Sequence, residues 1–280
     1  MFKLSYNSNG LRYINPVHAI KDVALMGYDG IEFSLDPTWI NYNNVSKEEL
    51  TDLLNVTRDS LIDFSALATG DKNLLGPSSF EPSLINQNKN GRKLRINLLK
   101  QSVKIAEVLE IKRMNFASGI KRPEVSDDEA MSYLVEGINA CLKRNHDITL
   151  MIEPEPGMFI ETTDQAISLI NEINDERFRL NLDVGHVVCC EDNYLEKIRN
   201  ACKYTEHVHF EDIKDRVHRH LIPGKGNADL IGILQILIEE GYENYVSVEL
   251  YDEAYVYMTA LRESIDHING LLNVITKKGA

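Results

Sequence analysis

The feature of the sequence that most constrains the fold is a regular alternation of short apolar, β-branched runs with longer segments of helical periodicity. Eight runs predict strands, near Lys3–Tyr6, Gly30–Ser34, Leu61–Leu67, Arg113–Ala117, Ile148–Glu153, Arg179–Asp183, His207–Phe210 and Val246–Leu250. Eight intervening segments predict helices, near Pro16–Met26, Ser46–Ser60, Arg92–Leu109, Asp127–Arg144, Thr163–Asn174, Tyr194–Ala201, Asp229–Glu240 and Ala254–Thr276. Two of these helices begin with capping boxes, formed by Ser46 with Glu49 and by Ser126 with Glu129.

The number of units decides between two α/β architectures. A doubly wound open sheet also uses alternating strands and helices, but the sequence has no glycine-rich dinucleotide turn. Eight similar units therefore favour a closed (β/α)8 TIM barrel, a single α/β domain over residues 1–280. Catalytic residues of such barrels lie at the carboxyl ends of the strands. The longest connection, from Gly70 to Gly91, follows the third strand and predicts a lid over that end.

Composition limits the classes of partner. No apolar run is long enough to span a bilayer, and the first residues lack the features of a secretory signal, so we expect a cytoplasmic protein with no membrane partner. With 30 basic and 43 acidic residues, the formal charge of −13 opposes binding to nucleic acid. A small molecule is the expected partner, and association into a homo-oligomer stays open.

Four polar residues end the last four predicted strands. They are Glu153 in ITLMIEPEPG, Asp183 in RLNLDVGH, His209 in HVHFED and Glu249 in VSVEL. Each could instead cap a helix or pair with a cation, but four at successive strand ends predict a metal site. Three carboxylates and one imidazole suit one divalent ion, Mn²⁺ first, with Mg²⁺, Co²⁺ or Zn²⁺ as alternatives. His207, deeper in the same strand, is expected to be a core histidine.

The segments IEPEPG, LDVGH, HVHFED, PGKG before Asp229, and GYENYVSVEL resemble the sugar phosphate isomerase/epimerase group of xylose isomerase-like TIM barrels. This group includes ketose 3-epimerases and inosose-processing enzymes, and the resemblance is strongest from Leu150 to Tyr251. It implies the same four metal ligands and adds substrate contacts. The residues that it assigns to substrate are His186, Arg216 and His220, with Lys214 and Arg219 as alternatives to the arginine. Glu155 is a further candidate for substrate contact, because it lies close behind Glu153.

The resemblance and the carboxylates together imply a metal-dependent sugar or polyol isomerase or epimerase. Glu153 and Glu249 would act as acid and base on a carbon next to a carbonyl, through an enediolate. A dehydratase or lyase acting on a keto-sugar or inosose is the alternative. The net charge opposes a phosphodiesterase like endonuclease IV. That enzyme has further histidine ligands from strands two and three, whereas this sequence has Glu32 and Ser65 at those strand ends.

Overall fold

Parallel strands form a closed barrel, as predicted, in a computed structural model that describes residues 1–143 and 147–278. The eight barrel strands are β1 (Lys3–Asn7), β2 (Gly30–Ser34), β3 (Asp63–Ala68), β4 (Arg113–Ala117), β5 (Thr149–Glu153), β6 (Phe178–Asp183), β7 (Thr205–Phe210) and β10 (Tyr245–Val248). Their order around the barrel is β1, β10, β7, β6, β5, β4, β3 and β2, and β2 pairs with β1 to close it. The (β/α)8 fold is thus confirmed, with all neighbouring barrel strands parallel.

Helices surround the barrel, and the two for which capping boxes were predicted begin at those boxes. They are α1 (Pro16–Leu25), α2 (Lys47–Asp59), α3 (Lys89–Val108), α4 (Asp127–Leu142), α5 (Thr163–Ile173), α6 (Val184–Cys190), α7 (Tyr194–Ala201), α8 (Leu230–Glu239) and α9 (Tyr257–Lys278). Both predicted capping boxes are present, at Ser46 and at Ser126, and each satisfies free amides of the first turn. The predicted helix end at Arg144 lies outside the described residues.

Three features at the carboxyl end of the barrel differ from the prediction. An antiparallel hairpin, β8 (Asp212–Lys214) and β9 (Val217–Leu221), follows β7 and was missed because β8 has only three residues and its pairing depends on a turn. The short helix α6 starts directly after β6, because Asp183 caps it. A 3-10 turn occupies Tyr251–Val256, so the last helix begins later than Ala254.

The inside of the barrel is polar, whereas the space between barrel and helices is apolar. Residues along a strand alternate between the two sides. On β7, His207 and His209 face inward while the buried Val208 and Phe210 face the helices. Other buried polar side chains of the strands are Ser5, Glu32, Ser65, Asn115, Asn181 and Ser247. The fold therefore places a layer of hydrogen-bonding groups beneath the carboxyl end.

The segment predicted as a lid, after Gly70, contains no helix or strand up to α3. Leu84 and Ile85 are buried, so part of the segment is packed into the protein. The buried Arg95 of α3 donates to the carbonyls of Pro82 and Thr69, at 2.9 and 3.1 Å, and joins the two ends. Among the described residues, no helix is long and apolar enough to cross a membrane.

Candidate metal centre and its cavity

The structure brings the four predicted ligands together. Glu153 ends β5, Asp183 ends β6, His209 lies near the end of β7, and Glu249 directly follows β10. One ligating atom from each lies within 4.8 Å of the others. The Nδ1 atom of His209 is 3.0 Å from Glu153 Oε1, 3.1 Å from Glu249 Oε2 and 3.7 Å from Asp183 Oδ2. We call these residues the four-residue cluster.

Asp183 uses its two oxygens differently. Oδ1 accepts a hydrogen bond from the backbone N–H of His186 at 2.8 Å, which caps α6. Oδ2 is buried and has no hydrogen-bond partner among the described residues. Capping therefore accounts for only one oxygen, and a buried carboxylate oxygen without a partner is costly unless a cation or donor meets it.

Glu249 is held in a similar way. The side-chain amides of Asn7 and Asn9 donate to its Oε1, at 3.2 and 2.7 Å. Both asparagines come from the end of β1 and the turn after it, which is the strand beside β10. The other oxygen, Oε2, is thereby directed toward His209.

The charges of the cluster call for a cation at its centre. Burial alone would raise the pKa of Asp183, but His186 and His209 hold it well below its ordinary value. Burial raises the pKa of Glu153, although the neighbouring His209 opposes this shift. For Glu249, burial also acts to raise the pKa, but His209 opposes burial and the net shift of the pKa is downward. Although burial opposes its charged form, the neighbouring carboxylates Glu249, Glu32 and Glu153 raise the pKa of His209 well above the ordinary value.

This donor set fits a divalent ion. Three carboxylates repel one another when they converge, and a cation removes that repulsion. Oxygen donors with one imidazole are ligands that Mn²⁺, Mg²⁺, Co²⁺ and Zn²⁺ accept, and the partnerless Asp183 Oδ2 offers a free lone pair at the right place. The site therefore has both the chemistry and the convergence that a metal needs.

A cavity of about 280 Å³ lies next to the cluster. Glu153, His209 and Glu249 line it, as do three of the four residues predicted to contact substrate: Glu155, His186 and His220. His186 Nδ1 is 2.9 Å from the carbonyl oxygen of Pro154, and His220 Nδ1 is 3.0 Å from that of Glu249. A carbonyl only accepts, so each Nδ1 carries a proton. The Nε2 of His186 faces the carboxylates of Asp183 and Glu155, at 3.5 and 3.8 Å, and although burial opposes its charged form, these carboxylates raise the pKa of His186 to about 9, so this nitrogen is protonated too. The Nε2 of His220 lies 3.2 Å from that of His218. Burial raises the pKa of Glu155 to about 8, although His186 opposes that shift.

Arg216 does not line this cavity. Its guanidinium donates to Asp192, at 3.0 Å, and to the carbonyls of Cys189, in the last turn of α6, and Glu191, just after it. Asp215 and Arg216 have φ of 55° and 60°, so the turn of the hairpin directs Arg216 away from the barrel. The arginine that lines the cavity is Arg12, from the connection between β1 and α1.

Sequence reasoning also missed Glu211. This residue is fully buried beside Asp183, and neither of its carboxylate oxygens has a hydrogen-bond partner among the described residues. Burial and Asp183 together raise its pKa well above the ordinary value. Gly185 makes the room, because a Cβ there would overlap the Glu211 carboxylate. The signal was present in HVHFED, since residues 207, 209 and 211 lie at alternating positions.

Comparisons with known proteins agree with the fold. A 144-residue stretch is 26% identical to an inosose dehydratase of Clostridium perfringens, which covers 45% of this chain and 48% of that protein. This chain thus spans about half the length of the curated relatives it matches. A D-tagatose 3-epimerase-like protein superposes over 100% of both chains with a TM-score of 0.81 and 17% identity. The IOLI protein, solved with a binding zinc atom, superposes over 98% of this chain and 99% of its own with a TM-score of 0.77 and 20% identity.

The structural similarities, at these identities, concern the fold alone. The sequence match is broader, since residues 20–271 match the family model described as a xylose isomerase-like TIM barrel. That range includes the four-residue cluster, the hairpin and every barrel strand except β1. The chain belongs to the xylose isomerase-like TIM barrel family.

Proposed function

We propose that this protein is a divalent-metal-dependent isomerase or epimerase of a small sugar or polyol, with Glu153 and Glu249 as acid and base. One observation carries the proposal. Two carboxylates from opposite sides of the cluster meet His209 Nδ1, at 3.0 and 3.1 Å, at the edge of a cavity. A binding protein for a neutral polyol would have no need to bury converging acids.

A divalent ion held by the four-residue cluster would polarise a substrate carbonyl and its neighbouring hydroxyl, which makes the intervening C–H bond acidic. Glu153 and Glu249 come from β5 and β10, which two strands separate in the barrel. One carboxylate therefore reaches one face of the substrate carbon and removes the proton. The other returns a proton from the opposite face, which inverts that carbon.

The surrounding side chains would hold the substrate in that position. His186 is protonated on Nε2 and can donate to a substrate oxygen, while the paired imidazoles of His218 and His220 line the same cavity. Glu155 Oε2 lies 3.8 Å from His186 Nε2, and both side chains line the cavity. A small polyhydroxylated molecule matches these groups in size and hydrogen bonding, since the cavity holds about 280 Å³.

Dehydration of a keto-polyol is the second candidate. It is favoured by the similarity to an inosose dehydratase. Removal of a proton next to the carbonyl would be the same first step, after which a β-hydroxyl would leave as water. The two reactions differ only in product, so one experiment can separate them.

The experiment uses solvent deuterium. The protein is incubated with Mn²⁺ and a panel of ketohexoses, ketopentoses and inososes in D2O, and we expect deuterium at a carbon next to the carbonyl of at least one compound. An epimer indicates two opposed carboxylates, a moved carbonyl indicates isomerisation, and loss of water indicates dehydration. Glu153→Gln should abolish incorporation because a neutral amide is not a base.

Glu161→Gln is the matched control, because Glu161 lies on the loop that follows Glu153 and its side chain accepts from the backbone N–H of Gly157, which an amide oxygen can also do. It should exchange deuterium like the wild type. Absence of exchange with every compound, together with metal-dependent nicking of abasic DNA, would favour the phosphodiesterase instead.

A further inference from the structure

The carboxylate of Glu32 lies in the interior of the barrel, directly below the four-residue cluster. Its Oε1 accepts a hydrogen bond from His209 Nε2 at 3.0 Å, and its Oε2 accepts one from His207 Nε2 at 3.1 Å. The amide of Asn115 donates to Oε1 at 2.9 Å. Glu32 and His207 have no exposed surface, and His209 and Asn115 are only 1% exposed.

We propose that Glu32 is a positioning residue that holds His209 as an Nδ1 ligand of the metal. The inference rests on the proposed metal site. Glu32 comes from β2 and His209 from β7, and β1 and β10 lie between these strands, so the bond crosses the barrel. The two nitrogens of His209 thus have separate tasks: Nε2 faces Glu32 and Nδ1 faces Glu153 and Glu249.

The acceptors around Glu32 and His209 indicate which nitrogen of His209 keeps its proton when an ion is bound. Three N–H donors, from His207, His209 and Asn115, point at the two oxygens of Glu32, so that side chain acts only as an acceptor. Nδ1 of His209 likewise faces carboxylate oxygens, Glu153 Oε1 at 3.0 Å and Glu249 Oε2 at 3.1 Å. An ion held by these carboxylates would take the place of a proton on Nδ1, and the bond to Glu32 then keeps the remaining proton on Nε2. A carboxylate that accepts from the far nitrogen also makes the near nitrogen more basic and fixes the plane of the ring.

His207 completes the arrangement from below. Its Nε2 donates to Glu32, while its Nδ1 has no hydrogen-bond partner among the described residues. These contacts fit a neutral His207 whose single ring proton is on Nε2. The bond from this nitrogen keeps Oε2 of Glu32 in place. The deeper histidine of HVHFED is therefore coupled to the site through Glu32, although its ring lies outside the four-residue cluster.

The test compares metal binding in the wild type, Glu32→Gln and Ser65→Ala. Glu32→Gln is nearly isosteric but replaces the anionic acceptor by an amide, so we expect Mn²⁺ or Zn²⁺ affinity, measured by chelator competition at fixed pH, to fall roughly 10–100-fold. Ser65→Ala is the control, because its hydroxyl bonds that of Ser5 at 2.7 Å in the same barrel interior and, within the part of the chain that the structure describes, makes no hydrogen bond to His209. It should lose some stability and keep its metal affinity.

A spectroscopic measurement separates positioning from general destabilisation. With Co²⁺ at saturation, the visible absorption spectrum depends on the ligands and their geometry, so it should change in Glu32→Gln and stay unchanged in Ser65→Ala. If Glu32→Gln does not fold, the paired variant Glu32→Leu with His207→Leu removes the carboxylate together with one of its donors. It should show the same loss of affinity.

The outcomes distinguish this inference from the proposed function. A folded Glu32 variant with wild-type affinity and wild-type Co²⁺ spectrum overturns the positioning role alone. A wild type that binds none of the three ions overturns the metal site and this inference with it. Metal binding that depends on Glu32, in a protein that exchanges no deuterium into any sugar, supports the inference while the proposed reaction fails.

Discussion

Glu249 is the residue for which the structure and the proposed chemistry make the sharpest prediction. Two asparagine amides donate to its Oε1, so replacing the carboxylate by an amide should alter the fold little. Glu249→Gln should nevertheless lose deuterium exchange by roughly 10²–10⁴-fold, because a general base is removed. Exchange and urea unfolding are measured on the same preparation. Glu243→Gln, an exposed acid before β10, is the control, and wild-type exchange in Glu249→Gln would remove Glu249 from the mechanism.

Asp71 allows a test of electrostatics at the cavity rim. Burial and the nearby Asp36 raise the pKa of Asp71 from 3.8 to about 7, although Arg12 opposes the shift and lies 3.3 Å away. A carboxyl whose pKa is higher in the folded state than in the unfolded state destabilises the fold as it ionises, so this penalty grows as pH rises from about 4 to about 7.

Asp71→Asn should therefore gain stability relative to the wild type between pH 5 and pH 8. Through Asp71, each pH unit in this window changes the free energy of unfolding of the wild type by about 1.4 kcal/mol. The expected gain of Asp71→Asn in that free energy, relative to the wild type, is therefore roughly 2–3 kcal/mol. The free energy of unfolding in urea at a series of pH values measures it. Parallel curves for the two proteins would show that Asp71 titrates normally.

The residues of the site show what the sequence could predict and what it could not. The four-residue cluster was predicted because each member lies at or beside the end of a strand, and parallel barrel strands end at one face. Arg216 was misplaced because the chain leaves the barrel after β7, and its turn depends on positive φ angles that a linear register does not reveal. Glu32 was noticed only as a position without histidine, since its contacts come from the other side of the barrel.

At the scale of the element, the segment between β9 and α8 depends on one carboxylate. Asp212 accepts hydrogen bonds from the backbone N–H groups of Ile213, Gly224, Gly226 and Ala228, at 2.9, 2.9, 2.8 and 3.2 Å. These groups cover both oxygens of a side chain that is 2% exposed. The PGKG segment is thus tied to the start of the hairpin that carries His220.

Asp212→Asn should destabilise the protein by roughly 2–4 kcal/mol, because the new amide nitrogen would face backbone donors and leave them buried without partners. Urea unfolding measures the change. Asp215→Asn is the control on the same hairpin, and as an exposed site it should change stability by less than about 0.5 kcal/mol. Equal stabilities of the two variants would show that Asp212 does not hold the segment.

The elements themselves were largely predictable, for local reasons. Capping boxes at Ser46 and Ser126 mark two helix starts, and short apolar runs that are buried on both faces mark the strands. The hairpin was not predictable, because β8 has only three residues and its pairing depends on a turn. Helix α6 was missed because Asp183 both ends β6 and caps the helix. The alternation of strand-like and helical segments in the sequence indicates only the strand end.

At the scale of the whole molecule, the four-residue cluster adds buried negative charge to a protein that is acidic overall. The chain has a formal charge of −13, and the three converging carboxylates lie in its interior, where salt screens them poorly. Divalent ions will also collect weakly at exposed acids, so a metal effect on stability needs a variant that separates the two kinds of binding. Asp183→Asn provides it, because the variant changes the formal charge by one unit and retains an oxygen to cap α6.

We expect one divalent ion per chain and a lower melting temperature after chelation. An ion that binds only the folded protein stabilises it by about 2.7 kcal/mol at a concentration 100 times its Kd. For a domain of this size that corresponds to a shift of roughly 5–10 °C. Scanning calorimetry with Mn²⁺ and with chelator should show this shift in the wild type, and a much smaller one in Asp183→Asn. Elemental analysis without metal, together with a wild-type melt that neither Mn²⁺ nor chelator changes, would contradict the metal centre. Equal shifts in both proteins would instead place the ion on exposed acids, because only the wild type retains all three carboxylates of the cluster.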